Sequence, residues 1–222
     1  AVAIFPILGI GGLQLLKAEA PGPRVDKLTP KVTETAKILW MSYLLLSGLE
    51  TLFLLFGGMG LFDALTHTFG TMATGGFSPK NASVGHYDSA YIDLVVTVFM
   101  VLAGINFVMY YKIATNRFRS IARDTELRYY VLIFVVATVI ATVGLMDRYE
   151  TVGTSLRYAS FQVASILTTT GFATDDFAAW PYLGQIVLFS LMFIGGCSGS
   201  TGGGIKVVRI VTMIKQGWNE MR

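Results

Sequence analysis

The chain has 222 residues, 53% hydrophobic and only 14% charged, where globular domains carry roughly 25% charged residues. With a mean hydropathy of +0.60, that balance excludes an ordinary soluble domain. The net charge of +3 does not signal nucleic acid, because the basic residues sit between apolar runs, and a single cysteine, Cys197, excludes an internal disulfide framework and zinc spacing.

The opening residues, AVAIFP, carry neither an initiator Met nor a basic leader, so they do not read as a signal peptide. Residues 1–16 are expected to be the end of a preceding transmembrane helix, which would make the chain a fragment, and 17–31 a cytoplasmic connector. A bilayer core takes roughly 20 apolar residues per helix. The stretches 38–57, 90–111 and 127–146 qualify, with Glu50 inside the first and Asp93 near one end of the second. A further span begins near Pro181 and runs into a glycine-rich break. Of the 17 Lys and Arg, all but Lys80, Arg148 and Arg157 lie within 17–37, 112–128 and 206–222. Alternating spans put these three segments on one side, which the positive-inside rule makes cytoplasmic.

The stretches between the spans are too long for turns and too apolar for solvent loops. Residues 58–77 read GMGLFDALTHTFGTMATGGF, and 153–172 read GTSLRYASFQVASILTTTGF. A shift of 95 positions pairs Ala64 with Ala159, Thr74 with Thr169, Gly76 with Gly171 and Phe77 with Phe172. The spans that follow pair Tyr91 with Tyr182 and Gly104 with Gly195. The unit is therefore span, half-helix, Thr/Gly loop, span, present at 32–114 and again at 127–222, with 115–126 a cytoplasmic connector. Irregular backbone at membrane depth survives only where it is buried in protein or lines a watery cavity. A re-entrant Thr/Gly loop thus implies a pathway. Glycine lets successive carbonyls face one side, and carbonyls aimed at an axis can replace a cation's hydration shell. The half-helix would point its partially negative end at the ion. A single such run also reads as a flexible loop or helix cap, but two in matching frames argue against that.

From Gly195 through Gly196, Cys197, Ser198, Gly199, Ser200, Thr201, Gly202 and Gly203 to Gly204, six of ten residues are glycine. At roughly 1 kcal/mol per glycine relative to alanine, a straight helix is disfavoured there. The expectation is an irregular loop about halfway through the bilayer, beneath the Thr/Gly loops, able to change conformation at small cost. A phosphate-binding loop is excluded, since Ile205 separates Gly204 from Lys206 and no Ser or Thr follows. Glycine-mediated helix packing stays open as the competing reading. The first repeat holds only Gly104 and Asn106 at that place, so the halves are expected to differ there.

Glu50 is a functional candidate as an intramembrane carboxylate, with hydrogen bonding to another repeat's pore helix the favoured role. Asp93 is expected to be solvated or capping. His67 and His86 are isolated, without metal-ligand spacing. Asp175 and Asp176 would either concentrate cations at the outer mouth or cap a helix. The basic connector sets topology and offers a face to anionic lipid or a regulatory subunit. No nucleophile–base arrangement is visible, so no enzyme is expected.

The stretches TMATGGFS (71–78), TTTGFAT (168–174) and GGCSGSTGGGIK (195–206) resemble the TrkH/KtrB/HKT superfamily of potassium transporters, most closely its bacterial TrkH branch, over essentially the whole chain. The resemblance implies an all-α integral membrane fold of four span–pore-loop–span repeats around one pore. This chain would cover the end of the first, the second and the third. It implies filter carbonyls from Ala73, Thr74, Gly75 and Gly76 and from Thr168, Thr169, Thr170 and Gly171, with K⁺ as transported ion and no cofactor. It implies a gate at Gly195–Gly204, a homodimer in a bacterial inner membrane, and a cytosolic nucleotide-binding subunit of TrkA type on the basic face. The expected function is potassium uptake through that filter; the alternative is a non-conducting membrane assembly or regulatory subunit.

Overall fold

The computed structural model describes residues 32–116, 120–121 and 123–220, so the segments expected at 1–16 and 17–31 lie outside the described residues. The regular elements among the described residues are all helices, with no strand. Helix α1 (Val32–Phe56) ends at the Gly57-Gly58 turn and is followed by the short helix α2 (Leu61–Met72). An irregular segment leads to α3 (Ala90–Ala103) and α4 (Phe107–Ala114). The second half repeats this order: α5 (Thr125–Leu145), α6 (Val152–Leu167), an irregular segment, α7 (Tyr182–Leu191) and α8 (Val207–Glu220). Several starts are set by capping side chains. Ser89, Asn106, Asp124 and Thr151 each accept a backbone N–H of the first turn, a bond worth about 1 kcal/mol apiece.

Residues 37–56 of α1 and all of α5 are long and apolar enough to cross a membrane by themselves. The run 90–111, expected as one span, is instead two helices bent by 95°. The cause is local. Asn106 turns its carboxamide onto the Val108 N–H at 2.9 Å and starts a new helix. Tyr130 from α5 packs against Gly104, where a Cβ would collide with its hydroxyl, and donates to the Val101 carbonyl at 3.0 Å. The second span of the other half also stops short of its paired glycine, Gly195. The halves therefore share a break and, as expected, differ there, the break being longer in the second.

The core has two parts. One gathers α1, α2 and α3 around Leu54, Met72, Val96 and Met100, and receives Phe161, Ala164 and Phe172 from the second half. The other gathers α5, α6 and α7 around Tyr130, Ala141, Leu167 and Leu188, with Cys197 and Val207 from beyond the glycine-rich break. An ion pair joins them: Nε of the partly exposed Arg157 on α6 lies 2.7 Å from Oδ2 of the buried Asp93 on α3. Asp93 is therefore neither solvated nor a cap. Outward faces of α1 and α5 carry Trp40, Leu44, Leu45, Leu132, Val139 and Val143, the surface a hydrocarbon environment accepts.

Candidate ion pathway

Helices α2 and α6 end in the same way. Their cap residues, Ala73 and Thr168, have φ/ψ of −84°/−2° and −85°/−3°. The next residues, Thr74 and Thr169, are left-handed at φ 51° and 59°, and Gly76 and Gly171 follow at 65° and 91°. The N–H groups of Ala73 and Thr168 bond to Phe69 and Ala164 at 3.1 and 2.9 Å, and those of Thr74 and Thr169 to Thr71 and Ile166 at 2.9 and 3.0 Å. Gly75 and Gly76 share the Gly70 carbonyl at 2.8 and 3.2 Å; Thr170 and Gly171 share that of Ser165 at 2.9 and 3.3 Å. Every pair matches its counterpart at the 95-residue shift read from the sequence. The turn uses up the N–H groups that follow each helix. Among the described residues, the carbonyls of Thr74, Gly75, Gly76, Thr169, Thr170 and Gly171 accept no hydrogen bond.

The two loops touch. A Cβ at Gly76 would collide with the Thr170 carbonyl and lie 3.0 Å from the Gly171 carbonyl carbon. A Cβ at Gly171 would meet nothing within 4 Å, so glycine there answers a conformational need alone. Within the second loop, the Thr168 and Thr170 hydroxyls bond to each other at 2.7 Å.

The Gly195–Gly204 loop lies against both. Its neck is closed by Gly195 N–H donating to the Ile205 carbonyl at 2.9 Å and Val207 N–H to the Gly196 carbonyl at 3.3 Å. Its body fills the break between α3 and α4: Cys197 N–H donates to the Gly104 carbonyl at 2.9 Å, Phe107 N–H to the Gly199 carbonyl at 3.2 Å, and the Thr201 hydroxyl to the Ala103 carbonyl at 3.2 Å. Its tip reaches the re-entrant turns. The Thr74 hydroxyl donates to the Thr201 carbonyl at 2.9 Å, and Gly203 N–H donates to the Thr169 hydroxyl at 2.6 Å. Lys206 reaches back to the Gly202 carbonyl, and the Ser200 hydroxyl donates to the Cys197 carbonyl at 2.7 Å.

Glu50 is fully buried, beside Thr71 of its own half. The Thr71 hydroxyl donates instead to the His67 carbonyl at 2.9 Å, and neither Glu50 oxygen has a partner among the described residues. Asp175 is no open cation attractor. Tyr149 donates to it, the Trp180 indole N–H does so at 2.7 Å, and Arg148 lies 3.6 Å away. Burial opposes its ionisation, but these partners outweigh burial and hold the carboxyl below the usual carboxylate range. Asp176 caps, accepting the Ala178 N–H at 3.0 Å. No cluster of metal-ligating side chains occurs among the described residues.

Two contributors had no separate mark in the sequence. Glu126, in the first turn of α5, accepts the Ser198 N–H at 2.6 Å and the Val208 N–H at 3.3 Å, pinning one end of the glycine-rich loop. Its only sequence signal is a carboxylate at the head of an apolar run. His67, dismissed as isolated, is fully buried between the two re-entrant loops.

Paired half-helices returning between spans, each ending in a turn with free carbonyls, define a helical membrane protein built on the span–pore-helix–span plan of potassium channels. Residues 1–222 match the family model TrkH, described as cation transport protein, and the chain belongs to that family. It is 45% identical to the Trk system potassium uptake protein TrkH of Salmonella typhimurium and 43% identical to that of Escherichia coli K12, covering all of this chain and 47% of each relative. The chain thus spans about half the length of the curated relatives it matches. The crystal structure of the potassium transporter TrkH from Vibrio parahaemolyticus superposes with a TM-score of 0.82 at 38% identity, over 99% of this chain and 45% of that one.

Proposed function

We propose that this chain provides two filter loops of a potassium uptake protein, and that K⁺ passes along the carbonyls of Ala73–Gly76 and Thr168–Gly171. The observation that carries this reading is the pair of matching turns: one hydrogen-bond pattern built twice and brought into contact at Gly76 and Thr170. The carbonyls of Thr74–Gly76 and Thr169–Gly171, without partners among the described residues, suit a partly dehydrated monovalent cation, and α2 and α6 aim their partially negative ends at the same place. The Gly195–Gly204 loop obstructs the path below the filter and is the gate. It is held by individual hydrogen bonds rather than by a helix face, so it can rearrange without unpacking a helix. The relatives' names support potassium as the cargo. A bacterial inner membrane, a homodimer and a nucleotide-binding regulatory subunit on the basic face complete the proposal.

The test is ⁸⁶Rb⁺ uptake by the full-length protein carrying Gly171→Ser, in cells lacking their own potassium systems. A serine forced to φ 91° is expected to turn the local carbonyl and abolish uptake or its discrimination against Na⁺, at unchanged membrane abundance. Normal uptake with normal discrimination would sink the filter reading and favour a non-conducting assembly subunit.

A further inference from the structure

His67 makes contacts that no other side chain of α2 makes. Its Nδ1 lies 2.7 Å from the Asp63 carbonyl, which can only accept, so Nδ1 carries the proton. Nε2 is then an acceptor, and the Ser78 hydroxyl donates to it at 2.9 Å. Ser78 stands two residues past Gly76 and itself accepts the Lys80 N–H at 3.1 Å. One face of the imidazole packs on Phe172, the residue after Gly171, with centroids 5.6 Å apart and planes at 32°. The edge of Tyr87 closes the other side at 5.6 Å. Asp63 holds that wall in place, accepting from Tyr87 at 2.8 Å and pairing with Lys80 at 3.1 Å.

One buried ring therefore bonds the exit of the first loop and supports the exit of the second. The second half has no equivalent clamp. Gln162 stands at the shifted position with its Oε1 unpartnered among the described residues, and the Ser165 hydroxyl holds the Phe172 carbonyl from below at 2.6 Å. His67 adds to the backbone ties between the loop exits, where Gly85 N–H donates to the Ala173 carbonyl at 3.1 Å and Ala173 N–H to the Ser83 hydroxyl at 3.2 Å.

We propose that His67 is a positioning residue for cation discrimination, fixing the separation of the two re-entrant loops by holding Ser78 and backing Phe172. The inference rests on the filter reading. His67 is buried and acts through carbonyl placement, which tolerates displacements of only about half an ångström in a preorganised site.

The test compares His67→Ala, His67→Gln and Ser78→Ala with Gly171→Ser in the full-length protein, by ⁸⁶Rb⁺ uptake with Na⁺ competition and membrane abundance measured together. His67→Ala is expected to lower Rb⁺ over Na⁺ discrimination roughly tenfold, the scale of one well-placed hydrogen bond. His67→Gln, which retains an acceptor for Ser78, should recover most of it. Ser78→Ala removes the same bond from the surface side of the clamp and should lower discrimination in the same direction even where His67 variants fail to accumulate. Wild-type discrimination in both His67→Ala and Ser78→Ala, or in Ser78→Ala alone if His67→Ala does not accumulate, overturns the assignment. If Gly171→Ser destroys discrimination while these do not, only His67 loses its role. If Gly171→Ser is also silent, the filter reading itself falls.

Discussion

Thr74 and Thr169 occupy backbone conformations that cost a branched residue on the order of 1–3 kcal/mol, and glycine would hold either more cheaply. Their hydroxyls supply a reason for threonine. Each makes a hydrogen bond to the tip of the glycine-rich loop, one as donor to Thr201 and one as acceptor from Gly203. Removing both hydroxyls in Thr74→Val/Thr169→Val removes two bonds of about 1 kcal/mol each from the closed arrangement. Basal uptake of ⁸⁶Rb⁺ by the full-length protein should rise several-fold, and Thr169→Ser, which keeps a hydroxyl, should stay near the parent. An unchanged basal rate in the double variant would mean that Gly104 and Glu126 hold the loop without help from the turns.

Among the elements, α5 does two jobs: it crosses the membrane and presents Glu126 to the glycine-rich loop and to the first turn of α8. Hydrogen bonds to a charged acceptor are worth about 1.5–3 kcal/mol. Glu126→Ala should therefore speed amide exchange of Ser198 and Val208 by roughly tenfold or more while α7 keeps its protection, a contrast readable by hydrogen exchange with mass spectrometry. Uniform loss of protection would mean the carboxylate supports the fold and not the loop. Much of this architecture was legible beforehand. Apolar runs located α1 and α5, and the 95-residue shift located both re-entrant helices and their left-handed turns, because glycine and threonine at fixed offsets leave a mark in the sequence. The break between α3 and α4 was not legible. The run 90–111 is of membrane length and mostly apolar, and although Asn106 caps the second helix, the Tyr130 ring pressed on Gly104 comes from another element. The burial of Asp93 and the packing of His67 were not legible for the same reason. Arg157 lies 64 residues from Asp93, and Phe172 is far along the chain from His67.

At the scale of the molecule, the two halves form one folded body. Phe172 is packed in the core of the first half, and the Asp93–Arg157 pair ties α3 to α6 with Asp93 only 2% exposed. Breaking the pair from the Arg157 side strands the buried carboxylate's charge, at a cost of up to about 3–5 kcal/mol. Arg157→Leu should accordingly lower the thermal unfolding midpoint in detergent markedly, and Asp93→Asn/Arg157→Leu should regain much of the loss. Equal loss in single and double variants would show that Arg157 contributes by packing alone. The closed neck at Gly195 and Ile205 has a consequence of another kind. Because the two ends of the detour are fastened to each other, the residues between them add nothing to the thickness the chain must cross. The bonds that Cys197, Ser198, Gly199, Thr201 and Gly203 make to Gly104, Glu126, Phe107, Ala103 and Thr169 then fix the length of the detour, so a residue added or removed there would spoil its fit to the re-entrant turns while the neck keeps α7 in register with α8.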